Sequence, residues 1–158
     1  MAPGWYLDVA EVGDRPADVR QTQIGEVMER TPINPVAWSK ELGFNQGEVV
    51  AGHTRTLYIS GQTAMDSQGR PQHEGDMNAQ LGLALDNLED VLAAADMTLA
   101  NVVRIGVYTT DVDALFPHYG VIAGRLAAAG VAPTTTMLCV ARLAIPGQLI
   151  ELDGTAVA

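Results

Sequence analysis

Met77, Leu81, Leu85, Leu88, Leu92 and Ala95 recur at spacings of four, four, three, four and three residues. That rhythm lays one apolar stripe along a helix. A helix that is apolar on one side must bury that side against another element. Asp76 stands just ahead of the stripe, where its carboxylate suits an N-cap and the positive end of the helix dipole. The rest of the chain has to supply the surface that covers this stripe.

Strand signals supply it. "GEVVAG" and "RTLYISGQ" are short β-type runs, with Gly52, His53 and Thr54 as the turn between them. "TAMDSQGRPQHEGD" is a polar loop leading into the helix. "NVVRIGVYTT" is a strand rich in β-branched residues. "DVDALFPHYGVIAGRLAAAG" predicts a second helix, with Pro117 near its first turn and Gly130 at its end. "TTTMLCVARL" and "GQLIELDGTAV" predict two more strands, joined by the turn-forming "AIPG". The order β-β-α-β-α-β-β predicts an α+β domain, a mixed sheet with two helices on one face, in preference to a doubly wound parallel sheet.

Residues 1–30 read as an N-terminal extension and residues 31–158 as the domain. "VGDRPADVRQTQIGEVMERTPINP" is polar and proline-ended, although Trp5 and Tyr6 argue that part of the extension packs somewhere. Met28 is a candidate alternative start. The start of the chain lacks a basic and then apolar leader pattern, and no apolar run reaches membrane-spanning length, so the expectation is a cytoplasmic protein with no membrane partner. A formal charge of −10, from 19 acidic and 9 basic residues, argues against a nucleic-acid partner, whose phosphates need a positive surface. Cys139, the single cysteine, rules out an internal disulfide and reads as a small buried hydrophobe. His53, His73 and His118 lack metal-ligand spacing, so no metal is expected. Phosphate-loop, dinucleotide-binding, zinc-protease and nucleophile-elbow motifs are all missing, and no cofactor is expected.

Three phrases carry a resemblance. "LYISGQTAMDSQG", "AQLGLALDNLEDVLAAADMTLANVVRIGVYTTDVDALF" and "VARLAIPGQLIELDGTAV", in this order and spacing, make the chain similar to the Rid (YjgF) family, the reactive intermediate deaminases. The similarity covers about residues 44 to 158. It implies a chorismate-mutase-like fold assembled as a homotrimer, with a small-molecule ligand held at the subunit interface. In the deaminating members, an arginine seven residues before the arginine of V-A-R-L clamps the substrate carboxylate. Counting back from Arg142 lands on Thr135, with the motif's proline present as Pro133. Glu151 matches the last-strand glutamate that helps activate water, so the resemblance implies a catalytic role for it. From the strand alone, "QLIELDGTA" leaves a solvated strand-face charge open as well. Ser60 and Gly61 match the SGQ motif, and Gly61 would offer its backbone N–H. Met137 would offer a second, two residues past the clamp position. Phe44 falls where the family has a tyrosine, and Tyr119 where it has a pocket asparagine, or His118 after a one-residue slip.

A threonine hydroxyl cannot copy the two parallel charge-assisted bonds of a guanidinium. Losing both costs about 3–6 kcal/mol if they add. The resemblance therefore implies an enzyme with an altered substrate, a small imine, enamine or carbonyl compound, with weak or absent activity on ordinary 2-imino acids. Two further readings stand beside it: a non-catalytic metabolite-binding trimer, and a pathway partner docking through residues 1–30. Ribonuclease activity, also attached to the family name, has little electrostatic support in so acidic a chain.

Overall fold

The computed structural model of the chain describes residues 27–158. Most of the predicted extension, with Trp5 and Tyr6, lies outside them. The apolar stripe becomes helix α2, Met77–Ala94, and Asp76 caps it by accepting the Ala79 N–H at 3.0 Å. Met77, Leu81, Leu85, Leu88 and Leu92 are buried, while Ala95 sits one residue past the helix end.

The stripe is covered by a four-stranded mixed sheet of order β3-β6-β4-β5. Its strands are β3 (Thr56–Gln62), β4 (Val102–Thr109), β5 (Thr134–Cys139) and β6 (Ile150–Val157). The β3–β6 and β4–β6 pairs are antiparallel and β4–β5 is parallel. Along β6 the two-residue period sorts the side chains. Ile150, Leu152 and Ala156 are buried on the helix side, and Glu151, Asp153 and Thr155 stand on the other, partly open face.

The second helical segment is broken. It consists of α3 (Val112–Leu115), a 3₁₀ turn over Phe116–His118 and α4 (Tyr119–Ala128). Pro117 has no N–H to donate and falls in the 3₁₀ turn, so the segment is not one continuous helix. Gly130, at φ +73°, ends the segment as its position predicted. Ile122 and Leu126 of α4 join α2 and the sheet in one core, so α2 and α4 cover the same face.

Two further strands lie apart from this sheet. β2 (Gly47–Ala51) pairs antiparallel with β1 (Glu29–Ile33) and not with β3. The chain turns away after Gly52, and the Thr54 and Arg55 N–H groups both donate to the Ala158 carbonyl at 2.8 Å. Arg30 ties the hairpin to the body. Its guanidinium grips the Glu48 carboxylate at 2.6 and 3.1 Å and donates to the carbonyls of Ala100 and Val102 at 2.7 and 2.8 Å. A short helix, α1 (Trp38–Glu41), stands Trp38 edge-on to Phe44.

Cys139 corrects the sequence reading, because it is exposed in the chain and not buried. β5 is an edge strand, and its last residues lie past the reach of the helices. The strand also stops at Cys139, so Val140 to Leu143 form a loop, entered through the Val140 N–H bond to the Thr109 carbonyl at 2.8 Å.

Candidate functional site

A β-bulge builds the first half of the site. Between the pairs Ile59↔Gly154 and Gln62↔Leu152, β3 advances one residue more than β6. The extra residue falls at Ser60 and Gly61, both exposed, and bulges re-aim the local backbone. Gly61 thereby comes against the side chain of Glu151, so closely that a Cβ at position 61 would overlap the Glu151 carboxylate. Only glycine leaves the carboxylate where it is. Gly61 and Glu151 line a groove of about 330 Å³ with Tyr108, Arg142 and Asp153. Ser60 sits beside it in the bulge, its carbonyl accepting from the Gln62 amide at 3.2 Å.

The charges of this groove are unequally engaged. Asp153 accepts from Arg104 at 2.8 Å and from the Tyr108 hydroxyl at 3.1 Å. Tyr108 first, and then Asp153, push the Arg104 guanidinium above its ordinary pKa through their hydrogen bonds to it. Gly106 makes room for the network, since a Cβ there would overlap Asp153 and stand 2.9 Å from the Tyr108 hydroxyl. The Glu151 carboxylate and the Arg142 guanidinium have no hydrogen-bond partner among the described residues, and they do not pair with each other.

The second half lies on the opposite face of the sheet, at the β5 edge. Thr135 and Met137 point to the helix side, while Thr136 and Leu138 face away and are exposed. Thr135 and Met137, with Leu42, Phe44, Phe116, Tyr119 and Gly120, line an apolar cavity of about 380 Å³. The Thr135 hydroxyl already donates to the Pro133 carbonyl at 3.1 Å. Tyr119 is half-buried, and burial pushes its phenol pKa up, so it remains a protonated donor. Of the two alternatives left open on sequence, Tyr119 lines the cavity and His118 does not.

One chain therefore does not bring the predicted residues together. Gly61 and Glu151 share a groove, with Ser60 at its edge, and Phe44, Tyr119, Thr135 and Met137 share a cavity. The sheet separates the two groups. Sequence reasoning missed Tyr108, Asp153 and Arg104 as a linked group, although the alternation of Arg104, Gly106 and Tyr108 on one strand and of Glu151 and Asp153 on the next was there to read. Among the described residues no cluster of three or more His, Cys, Asp or Glu side chains could hold a metal, and no helix is long and apolar enough to cross a membrane.

A family model described as Endoribonuclease L-PSP matches residues 37–158. The chain belongs to this family. Known relatives place it with the Rid (YjgF) proteins within it. Protein DfrA of Myxococcus xanthus is 29% identical over 131 residues, 82% of this chain and 97% of the relative. The RutC family protein YjgH of Escherichia coli is 27% identical over 118 residues, 75% of this chain and 88% of the relative. Among solved structures, the Rid-family protein YyfB of Yersinia pestis superposes with a TM-score of 0.74 at 31% identity, over 82% of this chain and 98% of its own. The YjgF gene product of E. coli does so with a TM-score of 0.57 at 25% identity, over 72% and 87%. The mixed α+β fold is thus the Rid fold, as the resemblance implied.

Proposed function

We propose that this Rid-family protein hydrolyses a small imine or enamine, or acts on a related carbonyl compound, in a pocket completed between the subunits of a homotrimer. Glu151 acts as the general base that takes a proton from the attacking water. The backbone N–H groups of Gly61 and Met137 stabilise the charge that develops on the substrate. Phe44, Tyr119 and Thr135 hold the substrate body. The observation that carries this reading is the Gly61–Glu151 contact. The bulge gives up a side chain at position 61 and leaves a carboxylate without a hydrogen-bond partner at the mouth of a groove.

The separation of the two halves by the sheet supports the subunit interface, since a second copy can bring the β5 cavity of one protomer against the Glu151 groove of another. Thr135 supports weak or absent activity on ordinary 2-imino acids, because the cavity around it contains no cation to hold a carboxylate next to the reacting carbon. The charge of −10 disfavours an RNA substrate despite the family model's description.

The test generates neutral imines with an amine oxidase and 2-imino acids with an amino-acid oxidase, and follows trapping by semicarbazide. The wild type should suppress semicarbazone formation from at least one neutral imine, hardly from 2-imino acids, and Glu151→Gln should abolish the effect. A wild type without effect on any imine, or full activity in Glu151→Gln, refutes the chemistry.

A further inference from the structure

We propose that Arg142 is the anion-recognising residue of this protein, and that its ligand is a carbonyl or imine compound carrying a carboxylate apart from the reacting carbon. The proposal rests on the Glu151 reading for the reacting end of the ligand and names what the other end is.

Among the described basic residues, Lys40 and Arg142 engage no acceptor with their side chains, and Arg142 is the one that lines the Glu151 groove. Arg30, Arg70, Arg104 and Arg125 are each held in an ion pair, to Glu48, Asp66, Asp153 and Asp86 with Glu89 respectively. Arg55 donates to the Ala95 carbonyl. Arg142 is exposed, has no hydrogen-bond acceptor among the described residues, and lines a concave groove. The other carboxylate of that groove, Asp153, is already taken by Arg104 and Tyr108. Within one chain Arg142 is thus a guanidinium fork left unengaged in the groove it shares with Glu151, and a guanidinium fork matches a carboxylate in two parallel bonds.

Position decides the ligand's shape. Arg142 and Glu151 share the groove without forming an ion pair, so an anion seated on Arg142 leaves Glu151 free to act on another part of the ligand. That arrangement also spares the ligand the repulsion of placing its own carboxylate on the Glu151 carboxylate. Position 135, on the other face of the sheet, provides no charge.

The test is isothermal titration of the full chain with two stable carbonyl compounds of matched shape, 4-oxopentanoate and 4-oxopentanamide. The wild type is expected to bind the carboxylate about ten-fold tighter than the amide, the worth of one charge-assisted bond, with the preference shrinking as salt is added. Arg142→Gln should erase the preference, with the carboxylate losing far more affinity than the amide, and Arg142→Lys should keep part of it. 2-Oxopentanoate, whose carboxylate adjoins the carbonyl, should bind more weakly than 4-oxopentanoate. A wild type with no carboxylate preference, including one that binds neither compound, overturns the proposal. So does a preference that survives in Arg142→Gln, an equal loss of both ligands in that variant, or the reverse order of the two oxo acids. Failure of the Glu151 chemistry would look different: no imine hydrolysis, with the Arg142-dependent carboxylate preference intact.

Discussion

Gly61→Ala separates what the bulge does for the fold from what it does for the chemistry. The new methyl carbon would occupy the place of the Glu151 carboxylate. The backbone has little room to give, because paired residues hold the bulge on both sides, at Ile59↔Gly154 and Gln62↔Leu152. The far end of Glu151 is the flexible partner and rotates away. An off-rotamer side chain costs about 0.5–1.5 kcal/mol. The lower entropy of the unfolded alanine chain returns about 0.4–1 kcal/mol, since Gly61 does not need a positive φ. Stability therefore changes by about 1 kcal/mol at most, a Tm shift of roughly 2–4 °C for a chain of this size. The carboxylate is displaced by ~1 Å or more, and a misplacement of that order costs about a hundred-fold in rate. Calorimetry and the semicarbazide assay should show a nearly unchanged Tm beside a hundred-fold loss of imine hydrolysis. Gly61→Ala combined with Glu151→Gln should be no worse than Glu151→Gln alone, because both act through one carboxylate. Full activity in Gly61→Ala would refute the placement of Glu151 as the base.

Gln80→Leu should lower stability by about 2 kcal/mol or more. Its buried amide donates to the carbonyls of His73 and Gly147 and accepts the Leu149 N–H; His73 would keep the Asp76 N–H, but the Gly147 carbonyl and the Leu149 N–H would be left unpaired, which denaturant unfolding would register. Thr135→Arg should raise 2-imino acid hydrolysis at least about ten-fold while costing stability, since the apolar cavity gives the new guanidinium no partner until a carboxylate binds; no gain in rate would show that the cavity does not face Glu151 in the assembly. The Asp66 carboxyl is held below its ordinary value of 3.8, first by the Arg70 backbone N–H. The ordering it gives the loop is therefore present above that value and lost as pH falls through the lower folded one. Protection of the Gln68 and Arg70 amides against exchange, taken relative to the intrinsic rate at each pH, should fall there, and Asp66→Asn should remove that fall.

The sequence made the core legible because burial imposes a period. Leu81, Leu85, Leu88 and Leu92 could face one way only in a helix, and the β6 run could hide Ile150 and Leu152 only by presenting Glu151 and Asp153. β1 was illegible for the opposite reason. Glu29–Ile33 is mostly exposed and contains Pro32, which an edge pairing tolerates and a core strand does not. Its place depends on the reach of Arg30 to Ala100 and Val102, about seventy residues away, and no local pattern encodes such a contact. Cys139 failed similarly, since its apolar neighbours carry no sign that β5 is an edge. In the site, Gly61 and Glu151 could be named from their motifs. The bulge that joins them is a shift of register between two strands, invisible in either one alone.

The two halves of the site differ in kind, and the difference bears on why position 135 holds a threonine. The β5 cavity presents aromatic and aliphatic walls, one hydroxyl already donated to Pro133, and one phenol kept protonated by burial. A carboxylate entering it would lose its water and find a single neutral donor, a transfer that costs several kcal/mol without a counter-charge. The groove across the sheet contains the opposite set, an unengaged carboxylate and an unengaged guanidinium. A ligand spanning both would put its apolar body on β5 and its charge beside Arg142, and no single chain can hold it, because the sheet lies between. Under the proposed function, assembly is then part of the binding site itself, and dilution below the dissociation constant of the assembly should abolish ligand binding before it unfolds the chain. Threonine at 135 is what such a division of labour requires, since an arginine there would put a second cation in the half built to exclude charge.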